Sequence, residues 1–314
     1  MVTRSTAAIR ATARRERAER RSARRQERSD FHPPQRERRR LVASPLGWLV
    51  LGIVGFFLVN LVGVFGAVLA SSFATRWFDT WLPEGWTTQW YTQAWEEFGL
   101  LYVLLVTLEV SAAVVGLSAL IGVPAAYVLA RRDFPGKRLV MLAFLLPIVI
   151  PPMTYGVPLA TALYKYHLAG TLIGVVLANL VPSVPFLILV LTPFIEQIDP
   201  NIEAAARMCG ATTWDVLIRI LCPLLAPGIL ASCILVLVRS VGMFELTFLT
   251  AGPGSETLVV ALYYSISAAG IRAQQSVDAM AVIYTGSMLV LLLIALRFVN
   301  PTQLVAEVKE APPK

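Results

Sequence analysis

Charge is scarce in this sequence: Asp, Glu, Lys and Arg make up 15% of its 314 residues. A soluble globular chain carries about 25%, so an ordinary water-soluble domain is excluded. Histidine is scarcer still, with His32 and His167 the only two, which leaves no basis for a histidine-rich metal centre or a Ser-His-Asp relay. The three cysteines, Cys209, Cys222 and Cys233, are odd in number and form no close Cys-X-X-Cys pair. They predict neither a disulfide framework nor a zinc site. The phosphate loop GxxxxGK(S/T), HExxH and GxSxG are all missing from the sequence, and with them the commonest signatures of nucleotide and hydrolytic chemistry. No cofactor, no metal and no catalysis by this chain alone are expected.

What is abundant is apolar sequence. Hydrophobic residues are 56% of the chain and its mean hydropathy is +0.67. They gather in six runs, at 46–71, 98–130, 139–163, 168–192, 221–250 and 279–298, each at or above the length of about 20 residues that crosses the hydrocarbon core as helix. A seventh run at 257–269 reaches only about 20 Å of a core of about 30 Å and reads as an interfacial or re-entrant helix. The fold class expected is an all-α membrane protein with six transmembrane helices.

Orientation follows from Lys and Arg, which concentrate in cytoplasmic loops. With the amino terminus inside, 23 of the 27 basic residues fall on the inner side. Only Arg76, Lys165 and Arg272 fall outside, and Arg239 lies within the fifth run. Both termini are expected to be cytoplasmic. Five of the seven tryptophans, Trp77, Trp81, Trp86, Trp90 and Trp95, occupy the first outer loop. Indole rings favour the headgroup level, so that loop is expected to rest on the outer interface, with a tryptophan-lined binding surface as the alternative.

The net charge of +7 sits at one end. Residues 1–40 hold 14 Arg against five acids, a tail suited to anionic inner-leaflet lipids that ends any transient helix at Pro33-Pro34. A single phenylalanine, Phe31, among these arginines is not the aromatic interleaving of a nucleic-acid site, so lipid and not nucleic acid is the expected partner. The organisation expected is a basic tail (1–40), a first transmembrane helix with the tryptophan-rich loop (41–99), a core (100–300) and a short carboxy-terminal tail (301–314).

The most informative stretch is the inner loop at 199–223, DPNIEAAARMCGATTWDVLIRILCP. Asp199 suits a helix cap with Pro200 at the first position, and Ile202 to Met208 continue the helix. Gly210 stops it in a left-handed conformation, and Thr212 or Thr213 caps a second helix entering the fifth run. A short helix-turn-helix across the inner surface is predicted.

This stretch resembles the coupling loop of type I ABC importer permeases, whose pattern is Glu-Ala-Ala, three residues, Gly, nine residues, Ile, one residue, Leu-Pro. Ala205, Ala206, Gly210, Ile220 and Pro223 match with every interval kept. Two positions depart: the family glutamate falls on Ala204, with Glu203 one residue earlier, and the leucine is Cys222. One residue is about 100° around a helix, so the carry-over of the glutamate's ATPase contact to Glu203 is the weakest part of the match. The resemblance spans about residues 100–300. It implies a non-catalytic permease of the bacterial inner membrane, paired with a second permease, docked on a cytoplasmic ATPase dimer and served by an extracytoplasmic binding protein. FELTFLTAGP at 244–253 and WLPEGWTTQWY at 81–91 look nearer to polyamine-type permeases, with sugars and polyols open.

Ionisable groups inside spans merit a functional reading, and three are present: Glu109, Arg239 and Glu245. Rise along straight helices places Glu109 and Arg239 in the outer half, where a mutual ion pair is allowed. Glu245 falls at the outer mouth, suiting a cationic cargo. The third run holds Pro147, Pro151, Pro152 and Pro158. Proline breaks of this kind line transport paths, which makes Met153 and Tyr155 path candidates, with packing kinks the plain alternative. A self-contained transporter or channel is the competing function and predicts an inverted repeat of broken helices; an intramembrane enzyme needs an acidic partner for Glu109.

Overall fold

The computed structural model describes residues 45–77, 80, 82–267 and 273–297. The arginine-rich tail, the Pro33-Pro34 stop, Trp81 and residues 301–314 lie outside them. The chain divides into two compact units, Met1–Phe65 and Gly66–Lys314. In the first, the described residues belong to α1 (Pro45–Phe73). Their apolar side chains stay almost entirely exposed, the state of a helix whose solvent is lipid.

In the second unit the end of α1 is followed by α2 (Gln89–Glu97), α3 (Leu100–Arg131), α4 (Lys137–Val149), α5 (Pro152–Lys165), α6 (Leu172–Glu196) and α7 (Pro200–Met208). Then come α8 (Thr213–Leu224), α9 (Ala226–Val241), α10 (Phe244–Thr250), α11 (Leu258–Ser267) and α12 (Gln274–Arg297). Helices α1, α3, α6 and α12 are each long and apolar enough to cross a membrane alone. Counting the bent pairs α4–α5 and α8–α9 as one crossing each gives the expected six. The seventh apolar run forms α11, ten residues long.

Two runs expected as single helices are broken. Helices α4 and α5 meet at 97°, far beyond a kink. Each proline of the pair Pro151-Pro152 disfavours the helical conformation in the residue before it, and Ile150 and Pro151 are extended, with ψ of 132° and 131°. Helices α8 and α9 meet at 77° around Leu225, because Pro227 has no N–H for the carbonyl of Pro223. A further interruption at Gly242 and Met243 separates α9 from α10.

The core is built on α3 against α6, the most extensive helix contact in the unit. Val103, Val106, Val110, Val114, Ser118 and Gly122 are buried at intervals of three and four residues along α3, which makes one stripe of a helix of about 3.6 residues per turn. Gly122 permits the closest approach: a Cβ there would lie 2.7 Å from Leu187 Cδ2. Gly122→Val is therefore expected to lower the melting temperature of the detergent-solubilised protein, at a cost of about 1–3 kcal/mol. Gly116→Ala, with nothing within 4 Å of the new atom, should leave it unchanged or raise it.

Candidate functional site

The hairpin at 199–223 is built by its caps. Asp199 Oδ1 accepts from the Asn201 N–H at 2.9 Å with Pro200 in the first turn, so α7 starts where local chemistry dictates. It ends in a left-handed glycine: Gly210 has φ +88°, its N–H donates to Arg207 O at 2.9 Å, and the Ala211 N–H donates to Ala206 O at 3.1 Å. That pair of bonds is a Schellman stop. Thr212, of the two threonines, caps α8. Its Oγ1 accepts from the Asp215 N–H at 3.2 Å while Asp215 Oδ2 accepts from the Thr212 N–H at 3.1 Å, a reciprocal capping box. Val216 to Leu221 then widen into a π-helical turn.

The hairpin has two unlike sides. Val216, Leu217 and Leu221 are buried in the core and Ala206 packs on it. Facing away are Ile202, Met208, Trp214 and Ile218, with Met208 89% and Trp214 64% exposed. Ala204, Ala205, Gly210 and Pro223 are exposed as well, and Ile220 is half-buried.

Glu203 is on the inward side, only 4% exposed. Arg131 Nε donates to its Oε1 at 2.6 Å and the Tyr127 hydroxyl donates to its Oε2 at 2.9 Å. Arg207 Nη2 lies 3.6 Å from Oε2 and donates to the Tyr127 hydroxyl at 3.0 Å, while Arg131 Nη2 donates to Ile198 O at 2.7 Å. A carboxylate out of water is costly unless paired and hydrogen-bonded, and both oxygens here are engaged. Sequence reasoning missed Tyr127 and Arg131 as parts of this site. Their spacing of four puts them on one face of α3, but nothing local says that this face meets α7.

Of the path candidates, Tyr155 interacts electrostatically with both Arg239 and Glu245. The Tyr155 hydroxyl donates to Pro147 O at 3.3 Å, the carbonyl that loses its helical partner because Pro151 has no N–H. Arg239 Cζ stands 5.4 Å from the centroid of the Phe186 ring, and its Nε is buried with no hydrogen-bond partner. Glu245, in the first turn of α10, is half-buried. Met153 is exposed at the start of α5. Glu109 is on an exposed face of α3. Among the described residues the ion pairs are Arg131–Glu203, Lys137–Asp133, Arg207–Glu203 and Arg219–Asp215, so the Glu109–Arg239 pair allowed by straight-helix geometry does not form. The straight fifth helix on which that geometry rested is bent at Leu225.

The family model described as binding-protein-dependent transport system inner membrane component matches residues 118–303, a stretch that includes the whole hairpin and every broken helix. The chain belongs to that family. It is thus an inner-membrane permease of a binding-protein-dependent transport system, a transport component and not an enzyme. The permease is 33% identical over 183 residues to the molybdenum transport system permease protein ModB of Escherichia coli (strain K12), covering 53% of this chain and 80% of that one. It is 31% identical over 159 residues to the probable sulfate transport system permease protein cysT of Nephroselmis olivacea, covering 47% and 56%. With the diacetylchitobiose uptake system permease protein NgcG of Streptomyces coelicolor it shares 31% over 171 residues, 54% of each chain. Its fold, that of a type I ABC importer permease, matches a chain of a crystallised bacterial ABC transporter that imports alginate, with TM-score 0.67, 16% identity, and coverage of 86% of this chain and 99% of that one. Broken helices, which the self-contained transporter reading looked for, are present in this permease too, and the family match is what separates the two readings.

The caps make a measurable claim. Asp199→Ala should cost about 1 kcal/mol of α7 stability and speed tryptic cleavage after Arg207 in the folded, detergent-solubilised permease by about fivefold.

Proposed function

We propose that this permease forms half of a translocation path with a second permease subunit, receives cargo from a binding protein, and couples through residues 199–223 to a separate ATP-binding dimer on the cytoplasmic side. The observation that carries this reading is the two-sided hairpin. An apolar face with Ile202, Met208, Trp214 and Ile218 points outward from helices whose other face is anchored in the core. An exposed apolar patch on a rigid base is a partner site, and the matched spacing from Ala205 to Pro223 supports an ATPase as that partner. Closure of the dimer would then push the hairpin as a unit and rock the helices between two states.

For cargo we favour an oxyanion over a polyamine. Relatives named for molybdenum and sulfate transport support it, as does a buried guanidinium nitrogen at Arg239 that has no hydrogen-bond partner in the protein. The single carboxylate of Glu245, which suggested a cationic cargo, is matched in charge by Arg239 six residues earlier. A sugar is the second reading, favoured by the relative named for diacetylchitobiose uptake.

Two measurements test this. Cys209 is exposed while Cys222 and Cys233 are half-buried, so in a Cys222→Ser, Cys233→Ser background a membrane-impermeant maleimide should label Cys209 in inside-out vesicles. Labelling in right-side-out vesicles would reverse the orientation. In proteoliposomes holding the permeases with the ATPase and binding protein of neighbouring reading frames, ATP should drive uptake of radiolabelled molybdate or sulfate. Ala205→Glu should reduce that uptake about tenfold or more, in the ordinary range for coupling between sites, without loss of insertion. Uptake of diacetylchitobiose with no oxyanion uptake would overturn the cargo assignment.

A further inference from the structure

We propose that Glu203 acts inside the permease and not on the ATPase: with Arg131, Tyr127 and Arg207 it forms a latch that ties the coupling hairpin to the end of α3, so that displacement of the hairpin is delivered to the core helix. The proposal rests on the reading of 199–223 as the coupling element and adds to it the residues through which the element pulls.

The geometry argues in three steps. A helix of nine residues is too short to hold its shape alone in water, so α7 can transmit force only through what fastens it. Its fastenings are the Asp199 cap and the Gly210 stop at its two ends, the packing of Ala206, and Glu203. Glu203 reaches the long helix α3 through charge-assisted bonds, and Arg207 joins it there. Arg131 Nε at 2.6 Å and the Tyr127 hydroxyl at 2.9 Å take one carboxylate oxygen each.

The second step is accessibility. The Glu203 side chain is 6% exposed and that of Arg131 11%, so neither meets a partner docking on the outward face of the hairpin. Ala204, where the family pattern has its glutamate, is exposed instead.

The third step is that three points on the moving segment are anchored, and Glu203 is one of them. Arg131 also holds Ile198 O at 2.7 Å, on the chain entering α7, while Arg207 reaches back from the last turn of α7 to the Tyr127 hydroxyl at 3.0 Å. One bond would let α7 swivel about it. Contacts at Ile198, Glu203 and Arg207 hold both its position and its direction, which is what a lever requires. Arg131 and Tyr127 are therefore positioning residues for coupling.

The test compares Glu203→Gln, Arg131→Gln, their double variant and the milder Tyr127→Phe in the assembled importer. The readouts are co-purification with the ATPase, ATP hydrolysis with and without loaded binding protein, and the size-exclusion profile as a check on folding. The latch predicts that all variants co-purify with the ATPase. Both single Gln variants should lose cargo-stimulated hydrolysis by about tenfold, in the ordinary range of site-to-site coupling, with the double variant no worse than either single, as expected for two residues of one network. Tyr127→Phe, which keeps the ion pair, should fold normally and lose a smaller part of the stimulation. The latch is overturned if Glu203→Gln releases the ATPase while Arg131→Gln stays coupled, since Glu203 would then be a docking contact. It is also overturned if Tyr127→Phe and Arg131→Gln fold and remain fully stimulated. Full activity of Ala205→Glu, on the outward face, would instead refute the coupling role of the hairpin itself.

Discussion

Lipid tails are as apolar as leucine, so the hydrophobic effect does not drive one membrane helix onto another. The bundle therefore depends on a seam where two helices fit more closely than either fits lipid, and that seam is α3 with α6. Gly122 brings the backbone of α3 against Leu187 and Ile188, and the small polar residues Thr107, Ser111 and Ser118 on α3 and Asn179 and Ser183 on α6 are all buried. Neighbours join this pair by specific bonds: Asn179 Nδ2 donates to Thr247 Oγ1 at 3.1 Å, tying α10 to α6, and the Leu258 N–H donates to Thr107 Oγ1 at 2.8 Å, tying α11 to α3. Glu203 is bonded to Tyr127 and Arg131 at the end of the same α3, so the hairpin is fastened to a helix of that seam.

Around that seam the chain is interrupted, and one interruption, at Gly242 and Met243, falls between Arg239 and Glu245. Irregular backbone at membrane depth is tolerated only where protein or a water-filled cavity satisfies it. At the α4–α5 break the Tyr155 hydroxyl supplies a partner to Pro147 O, which gives this side chain a structural duty whatever else it does. Arg239, in the last turn of α9, lies just before the next interruption, and Glu245 opens the helix that follows it.

What was legible in the sequence follows from how local its causes are. The hairpin could be read to within a residue because Asp199, Pro200, Gly210 and Thr212 each act on backbone two to five residues away. The apolar runs were legible as crossings for the same reason, since length and composition are properties of a segment. The breaks were not. Pro124, Pro182, Pro185 and Pro193 lie within helices that continue through them, whereas helices break at Pro151-Pro152 and beside Pro227, so the presence of a proline does not by itself mark a break. The surroundings of Glu203 were hidden most completely, for Tyr127 and Arg131 stand 76 and 72 residues away along the chain.

The one-residue displacement of the glutamate from the family pattern acquires a physical sense in this setting. On a helix, neighbouring positions point about 100° apart, so Glu203 and Ala204 cannot both face the core. In this permease the inward place is taken by the carboxylate, which finds two cations and a hydroxyl there, and the outward place is left to a methyl group. Position 204 therefore carries no charge, and the outward face consists of Ala205 with the larger apolar side chains of Ile202, Met208 and Trp214. Such a face would hold its partner by fit and by removal of apolar surface from water, an attraction that salt screens far less than a surface ion pair. The carboxylate one residue before the family's position is used here on the inside, where the low polarity of the surroundings makes each bond of the network stronger.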